Sequence, residues 1–352
     1  MSLFGKNNSK TRDIVVIGAS AGGVTALKEL VKDLPKDFKG SIFIVLHVPS
    51  YSETRLPWIL SQAGKIEAVL PDDGDDIEPG KIYVAPNDHH MILRDDNKIV
   101  VRRGPKENRF RPAIDALFRS AAYIYGSRVV GVILSGLLDD GASGLWTIQQ
   151  LGGVAIVQKP EDAEQPQLPK NVLQYVDPDY TVAASDMGPL ISGLVKEPAP
   201  NKNKFSEEEL KRLELEVIIA TKDNAFEMGI MQMGELTPYT CPECAGTLIR
   251  LVESDMIRFR CHTGHAYTAS SLASEVTESV ETKLWESMRA LEEVNMLMNN
   301  IADHYEQMNK KDDATLFREK AKRAADRAHT IHDTVLQHDQ FSADTRLNKK
   351  HK

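Results

Sequence analysis

Continuous apolar runs, each followed by a helical pattern, constrain the fold of the first two hundred residues more than any other feature. DIVVIG (13–18) stops at a glycine-rich turn, after which TALKELVKDLP carries apolar residues at helical spacing. SIFIVLHV (41–48) and RVVGVILSG (128–136) lack the alternation of a half-exposed strand, which is typical of parallel strands buried on both faces. This order of strands and helices predicts an α/β fold with a doubly wound, mostly parallel sheet.

The chain is predicted to contain several units, because its 352 residues exceed the roughly 100 to 200 residues of one ordinary domain. A stretch rich in Pro, Asn and charge indicates a linker after the sheet domain, and apolar residues at three- or four-residue spacing near the end predict a helical hairpin. In order, we predict a polar tail (1–11), the α/β domain (12–196), a linker (197–209), a zinc-ribbon-like module with a flanking segment (210–271), the hairpin (272–340) and a polar tail (341–352).

Charge and hydropathy exclude several classes of partner. The 51 acidic residues outnumber the 43 basic ones, and the formal charge of -8 would repel nucleic acid and anionic lipid. The sequence has no secretory signal and no apolar stretch long enough to span a bilayer. We therefore expect a soluble, cytoplasmic protein that neither binds nucleic acid nor inserts into a membrane.

The turn GASAGG (18–23) has the form of a nucleophile elbow. It matches G-x-S-x-G between a strand and a helix, where small neighbours let the backbone bend and expose the Ser20 hydroxyl. The amino terminus of the next helix offers N–H groups to an anion that develops on a substrate carbonyl. Taken alone, the motif favours an esterase and a nucleotide- or phosphate-binding loop equally.

Two other strand ends offer partners for Ser20. His47 ends an apolar strand at a position where a dinucleotide-binding fold would instead place an acidic residue. Ser20 and His47 lie within reach of each other if their strands are neighbours, although a core histidine with a satisfied hydrogen bond is the alternative. Asp139 and Asp140 follow a third strand, where either could orient the imidazole or simply cap the next helix. The order of residues does not choose between the two aspartates.

The cysteines form a compact metal-binding pattern. All three fall within 21 residues, as a C-x2-C pair and then, sixteen residues later, a C-x3-H pair. Two ligand pairs on turns bridged by short strands are typical of a zinc ribbon, in which the metal supplies folding energy. A thiol redox pair or relict cysteines are the alternatives, and His262 is a rival for the fourth position. The pattern predicts a structural Zn site with the ligands Cys241, Cys244, Cys261 and His265.

Taken together, the motifs of residues 12–196 resemble those of CheB-type protein-glutamate methylesterases. The family's catalytic acid directly precedes a glycine, so the resemblance implies Ser20, His47 and Asp140 as the catalytic triad, without a catalytic cofactor. The segments that carry it are GASAGG, VLHVPS, APNDHHM (85–91), NRFRPAIDALFRSAA (108–122) and the turn ending in Asp140 and Gly141. Four further residues in these motifs are candidates either to line the cleft or to have structural roles: His89, His90, Arg109 and Arg111.

The resemblance implies a serine hydrolase that demethylates glutamate methyl esters on chemoreceptor-like proteins, releases methanol and in some cases deamidates glutamine. The chain departs from the family pattern at two places. Val48 replaces a methionine, and Gly136-Leu137-Leu138 replaces a Gly-Met-Gly lead into the acid, which could alter substrate fit or the backbone near the acid. No phosphoacceptor receiver domain is expected before the esterase, so control by phosphorylation in cis is not expected.

Two other functions are consistent with the sequence. The chain could be a non-catalytic scaffold of a chemotaxis-like system that recruits partners through the zinc and helical parts, although an intact triad disfavours this. Nucleotide binding at GASAGG is the third hypothesis, and it predicts that a ligand protects against thermal unfolding. For the esterase, we expect a methylated receptor as substrate, and a signalling partner or self-association through the C-terminal helices.

Overall fold

The computed structural model describes residues 11–48, 55–200, 202–221, 225–253 and 255–337. The chain divides after Ser271 into two compact units. Both predicted polar tails lie outside the described residues, apart from Thr11. Within the described ranges, no helix is long and apolar enough to cross a membrane.

A seven-stranded sheet forms the centre of the first unit, and every described pairing in it is parallel. The strands of this part of the chain are β1 (Ile14–Ala19), β2 (Ser41–Leu46), β3 (Ala68–Val69), β4 (Ile82–Val84), β5 (His90–Leu93), β6 (Ile99–Arg102), β7 (Val129–Ile133), β8 (Val154–Gln158) and β9 (Tyr180–Val182). The sheet order is β3-β4-β2-β1-β7-β8-β9, and β5 and β6 form a separate antiparallel hairpin. The predicted doubly wound fold is confirmed.

Helices cover both faces of this sheet. They are α1 (Gly23–Lys32), α2 (Leu56–Ala63), α3 (Ile114–Tyr125), α4 (Ala142–Gln150), α5 (Gln167–Tyr175) and α6 (Ala184–Leu194). Val16 of β1 packs in the core formed with α3, α4 and α5, whereas Val15 and Ile17 pack in the core formed with α1, α2 and α6. Because alternate residues of one strand enter opposite cores, the strands need apolar side chains at every position.

The first unit continues beyond the sheet with a helix and a ribbon. Helix α7 (Glu207–Ile219) begins with a capping box between Ser206 and Glu209, so the last three residues of the predicted linker are helical. A four-stranded antiparallel ribbon follows, formed by β10 (Glu235–Thr240), β11 (Thr247–Glu253), β12 (Met256–Cys261) and β13 (Ala266–Thr268). The ribbon and the sheet domain therefore belong to one compact unit.

A buried ion cluster joins α3, α7 and the ribbon. We define it as Glu107, Arg119, Glu216, Arg258 and Arg260, whose side chains are at most 5% exposed. Glu216 lies 2.7 Å from Arg258, 3.0 Å from Arg260 and 3.3 Å from Arg119. Glu107 pairs with Arg119 and, at 2.9 Å, with Arg260. Buried charges persist only when they are paired, so each member of the cluster constrains the positions of the others.

The second unit is a helical hairpin. Helix α8 (Ala269–Gln307) starts in the first unit and continues through the second, and α9 (Lys311–Leu336) returns along it. Tyr305 stacks on Phe317 with ring centroids 5.4 Å apart, and the Trp285 ring meets His332 edge-on at 6.2 Å. These contacts between the two helices confirm the predicted hairpin.

Candidate active site

Ser20 lies in the tight turn that joins β1 to α1. Its N–H donates to the Ser135 carbonyl at 2.9 Å, and its own carbonyl accepts from the Gly23 N–H at 2.9 Å. Gly22 has a φ of 75°, and a Cβ at this position would lie 2.6 Å from the Ser135 hydroxyl. Glycine is required here by both conformation and space, and the turn holds the half-buried Ser20 at the amino-terminal end of α1.

His47 follows the strand next to Ser20. The parallel register pairs Ala19 with Leu46, so the next residues, Ser20 and His47, emerge side by side from the carboxyl ends of β1 and β2. The His47 N–H donates to the Ala19 carbonyl at 3.0 Å. The imidazole stacks on the Phe110 ring, with centroids 3.6 Å apart and an interplanar angle of 8°. Backbone and ring contacts together fix the orientation of the imidazole.

Asp140 holds the other edge of the imidazole. Its Oδ2 lies 2.9 Å from His47 Nε2 and also accepts the Ile114 N–H at 2.6 Å. Its Oδ1 accepts from Asn108 Nδ2 at 2.9 Å and from the Asp115 N–H at 3.3 Å. The carboxylate is fully buried, and donors on both oxygens fix its position.

The Asp140 contact also defines the roles of the two imidazole nitrogens. With Nε2–H donating to the carboxylate, His47 Nδ1 is the nitrogen with a free lone pair. Nδ1 is buried and has no hydrogen-bond partner within the described chain. His47 can therefore accept a proton at Nδ1 while Asp140 stabilises the resulting cation, which is the chemistry of a general base.

Asp139, the other candidate acid, points to a different partner. Its Oδ1 accepts from the Thr268 hydroxyl of β13 at 2.8 Å. Burial, together with the neighbouring Asp140, raises the pKa of Asp139 to about 7 against the opposing effect of the Thr268 hydrogen bond. Of the two aspartates that the sequence left open, Asp140 is the one that contacts His47.

The four further candidates lie around the segment 104–113. The fully buried His90 bridges this segment, since Nε2 lies 2.9 Å from the Pro105 carbonyl and Nδ1 accepts the Ala113 N–H at 3.2 Å. Arg111 donates to Asp88 at 2.7 Å and to the Gly104 carbonyl at 2.6 Å. These contacts connect both side chains to the backbone of this segment. His89 contacts the Asn87 carbonyl at 2.9 Å, and the half-buried Arg109 has a φ of 80°.

Two residues of the site were missed by sequence reasoning, namely Asn108 and Phe110. Asn108 connects Asp140 to Asp115, and Phe110 supports the His47 ring. Both belong to NRFRPAIDALFRSAA, so the resemblance marked their segment but no local signal gave their contacts. Leu138, which stands where the family carries glycine, has a φ of 62°, so the backbone before the two aspartates keeps a left-handed conformation that is unfavourable for leucine.

The cysteine residues form a second cluster, at the end of the ribbon. One atom from each of Cys241, Cys244, Cys261 and His265 lies within 4.8 Å of the others, and His262 is not a member of this group. Sγ of Cys244 is 3.6 Å from Sγ of Cys261, and His265 Nδ1 is 3.7 Å from Cys241 Sγ and 3.5 Å from Cys261 Sγ. Ligand sulfurs in a tetrahedral site with Zn–S bonds of about 2.3 Å lie about 3.8 Å apart, so these residues fit a four-coordinate metal.

The thiols of the cluster influence one another's pKa. Cys241 and Cys261 share a hydrogen bond that raises the pKa of Cys241 and lowers that of Cys261. Contacts from His265 and Thr263 lower the pKa of Cys261 further. A thiolate is the form in which cysteine binds a metal.

Residues 15–191 match the family model of the CheB methylesterase. A Leptospira interrogans protein named "Putative protein-glutamate methylesterase/protein-glutamine glutaminase" is 34% identical over 178 residues, which cover 51% of this chain and 92% of that protein. A Thermotoga maritima protein named protein-glutamate methylesterase/protein-glutamine glutaminase is 34% identical over 174 residues, 49% of this chain and 51% of its own length.

One solved structure is similar to the sheet domain. The crystal structure of the Thermotoga maritima CheB methylesterase catalytic domain superposes with a TM-score of 0.51 at 32% identity. The match covers 53% of this chain and all of that one. The ribbon and the hairpin begin beyond the residues that the family model matches.

Proposed function

Because the chain belongs to the CheB methylesterase family, we propose that it hydrolyses glutamate methyl esters on chemoreceptors or receptor-like proteins, with Ser20, His47 and Asp140 as its catalytic triad. The observation that carries the proposal is the buried pair between His47 Nε2 and Asp140 Oδ2 at 2.9 Å, next to the strand end that bears Ser20. This geometry favours the esterase over the scaffold hypothesis, because a scaffold does not need a histidine held with one lone pair free.

The reaction follows the two-step course of acyl transfer. His47 Nδ1 takes the hydroxyl proton of Ser20 while Oγ attacks the ester carbonyl. The Ala21 amide, in the turn just before α1, stabilises the oxyanion together with the partial positive charge at the amino terminus of that helix. The intermediate collapses as the protonated His47 donates its proton to the departing methoxide, which leaves as methanol.

The second step regenerates the enzyme. A water molecule gives a proton to His47 Nδ1 and attacks the glutamyl ester on Ser20, and the proton then returns to the serine oxygen. The products are a free glutamate side chain and unmodified Ser20. The same course applied to a glutamine side chain releases ammonia, so we extend the proposal to deamidation.

The Cys241, Cys244, Cys261 and His265 cluster is proposed to hold Zn²⁺ in a structural role, because four protein ligands leave no open position for substrate. The metal supplies folding energy to the ribbon and takes no part in the ester chemistry. We place the activity in the cytoplasm, where thiols stay reduced. The hairpin is proposed to bind a signalling partner or a second copy of the chain.

Methanol release from methylated chemoreceptor signalling fragments tests the proposal. The purified chain should release methanol, and Ser20→Ala should lower the rate by about 10⁴-fold or more if the triad acts as a unit. A fluorophosphonate probe should label Ser20 in the parent protein and fail to label the variant. Absence of both methanol and labelling in the parent protein would overturn the esterase and leave the scaffold hypothesis.

A further inference from the structure

The ribbon reaches the framework of the candidate active site through Asn108. The N–H of this residue donates to the Ala266 carbonyl at 2.8 Å, and its Oδ1 accepts from the Thr268 N–H at 2.9 Å and from the Ser271 hydroxyl at 3.2 Å. Its Nδ2 donates to Asp140 at 2.9 Å. Asn108 is 3% exposed. The side-chain amide of Asn108 thus binds Thr268 and Ser271 through its oxygen and the proposed catalytic acid through its nitrogen.

A second link lies one residue earlier in the chain. Glu107 Oε1 accepts from Arg260 of β12 at 2.9 Å, and Oε2 pairs with Arg119 of α3. Burial would raise the pKa of Glu107, but the arginines outweigh it and hold the pKa at about 2, so the carboxylate stays charged at any physiological pH. The ribbon therefore holds two consecutive residues of the segment before Phe110.

Both links lie next to proposed metal ligands. Arg260 directly precedes Cys261, and β13 begins directly after His265. The Cys261 N–H donates to the His265 carbonyl at 2.9 Å, which closes the turn between the two links. A metal bound by the residues of this turn would therefore fix the distance between Arg260, which pairs with Glu107, and β13, which binds Asn108.

We propose that the metal-binding ribbon positions the catalytic acid, with Asn108 as the positioning residue through which it acts. This inference rests on the proposed triad. Thr268 and Ser271 hold the Asn108 amide oxygen, Asn108 in turn holds Asp140, and the metal keeps β12 and β13 in the register that this requires. Metal occupancy thus controls the alignment of His47 through a chain of contacts, without a metal at the reaction centre.

The backbone conformation of the segment that the ribbon contacts explains why this segment needs support from outside. Asn108 has a φ of 50° and Arg109 a φ of 80°, and two consecutive left-handed residues persist only where surrounding contacts hold them. Release from the ribbon lets both relax. Relaxation would draw Nδ2 away from Asp140 and Phe110 away from the His47 ring, which removes supports of the acid and of the base together.

Hydrogen exchange on the full chain tests the link without reference to any substrate. After zinc removal by a chelator, peptides covering residues 104–112 and 266–268 should exchange faster, because the Asn108 and Ala266 amides lose their partners. Peptides of β1 should keep their protection, and added Zn²⁺ should restore the slow rate. Unchanged exchange in 104–112 after demonstrated metal loss would overturn the proposal.

Variants separate positioning from general stability. Asn108→Ala should lower kcat about 10- to 100-fold with KM nearly unchanged, as expected when a catalytic group is misaligned by about 1 Å. Ser271→Ala should have a smaller effect in the same direction, since the Thr268 N–H still holds the amide. The matched control is Thr237→Val, which removes a ribbon hydroxyl that donates to the Leu248 carbonyl, away from Asn108. The control should keep the parent kcat.

The rate at which a fluorophosphonate labels Ser20 measures the reactivity of the site even if methylated chemoreceptor fragments are not its natural substrate. Asn108→Ala and the zinc-depleted parent should both label more slowly by a similar factor, whereas Thr237→Val should label at the parent rate. Labelling that is equally fast in all proteins would contradict the positioning role even if methanol release were observed. Slower labelling without methanol release would support the positioning role and refute only the proposed substrate.

Discussion

Replacing Asp140 with asparagine changes one atom of the proposed acid and tests how the triad is oriented. In the parent protein both carboxylate oxygens accept donors: Oδ2 from His47 and Ile114, Oδ1 from Asn108 and Asp115. An amide has only one accepting oxygen. Asp140→Asn must therefore turn its NH₂ group towards one of these two pairs of donors, and each orientation has a distinct cost.

If the NH₂ group faces His47, the buried Ile114 N–H loses its acceptor, and the imidazole must accept at Nε2 and carry its hydrogen on Nδ1, the atom that should take the Ser20 proton. A wrong tautomer of this kind lowers kcat by about 10⁴-fold, equivalent to about 5 kcal/mol of transition-state stabilisation. If the NH₂ group faces Asn108, two buried donors lose their acceptor, at about 1 to 3 kcal/mol each in fold stability. The negative charge that stabilises the His47 cation is lost in both orientations.

Methanol release and chemical denaturation measure the two costs on the same protein. We expect Asp140→Asn to lose about 10⁴-fold in kcat. The matched variant Asp139→Asn should keep nearly the parent kcat, because its amide oxygen can still accept from Thr268. Equal losses in the two variants, or activity retained by Asp140→Asn, would refute the assignment of the acid and the role given to His47 Nδ1.

Two buried carboxylates outside the proposed triad give further predictions. Burial raises the pKa of Asp139 to about 7, so its contribution to stability is complete below the unfolded pKa near 4 and is lost as the pH rises through 7. Asp139→Asn should leave the free energy of unfolding unchanged at pH 4 and raise it at pH 8 by up to about 4 kcal/mol; the same gain at both pH values would count against this. Glu216→Gln should cost about 3 to 5 kcal/mol in urea unfolding because it leaves buried arginines underpaired, whereas Glu78→Gln, in an exposed pair with Lys81, should cost less than about 1 kcal/mol. Similar losses in these two variants would argue against the ion cluster.

The sheet could be predicted because its signal is local. A strand buried on both faces needs apolar residues at every position, and the runs ending at Ser20 and His47 have them. The meeting of these residues follows from the rule that parallel strands present their carboxyl ends at one edge. The choice of Asp140 over Asp139 as the partner of His47 could not be derived in this way. Asp139 and Asp140 are consecutive, and their different partners depend on how the loop after β7 turns.

The attachment of the ribbon could not be predicted from the sequence. Arg119, Arg258 and Arg260 are almost completely buried, although arginine is usually exposed, so their sequence context indicates a solvated surface. Their partners come from distant segments: Arg260 and Glu107 are 153 positions apart. The sequence predicted a separate module after a linker, because no local pattern indicates a contact between residues so far apart in the chain.

The pairing of residues 107 and 108 with residues 260–271 has a consequence for how the protein is made. A ribosome delivers the seven strands of the sheet, together with Ser20, His47 and Asp140, before it has polymerised Arg260, Thr268 or Ser271. Domains generally fold in the order of synthesis, so the sheet can form while Asn108 still lacks its partners. We expect a nascent chain at that stage to carry all three residues of the proposed triad and to have little hydrolytic activity. On these proposals, the esterase would remain inactive until the residues proposed to bind the metal have been synthesised.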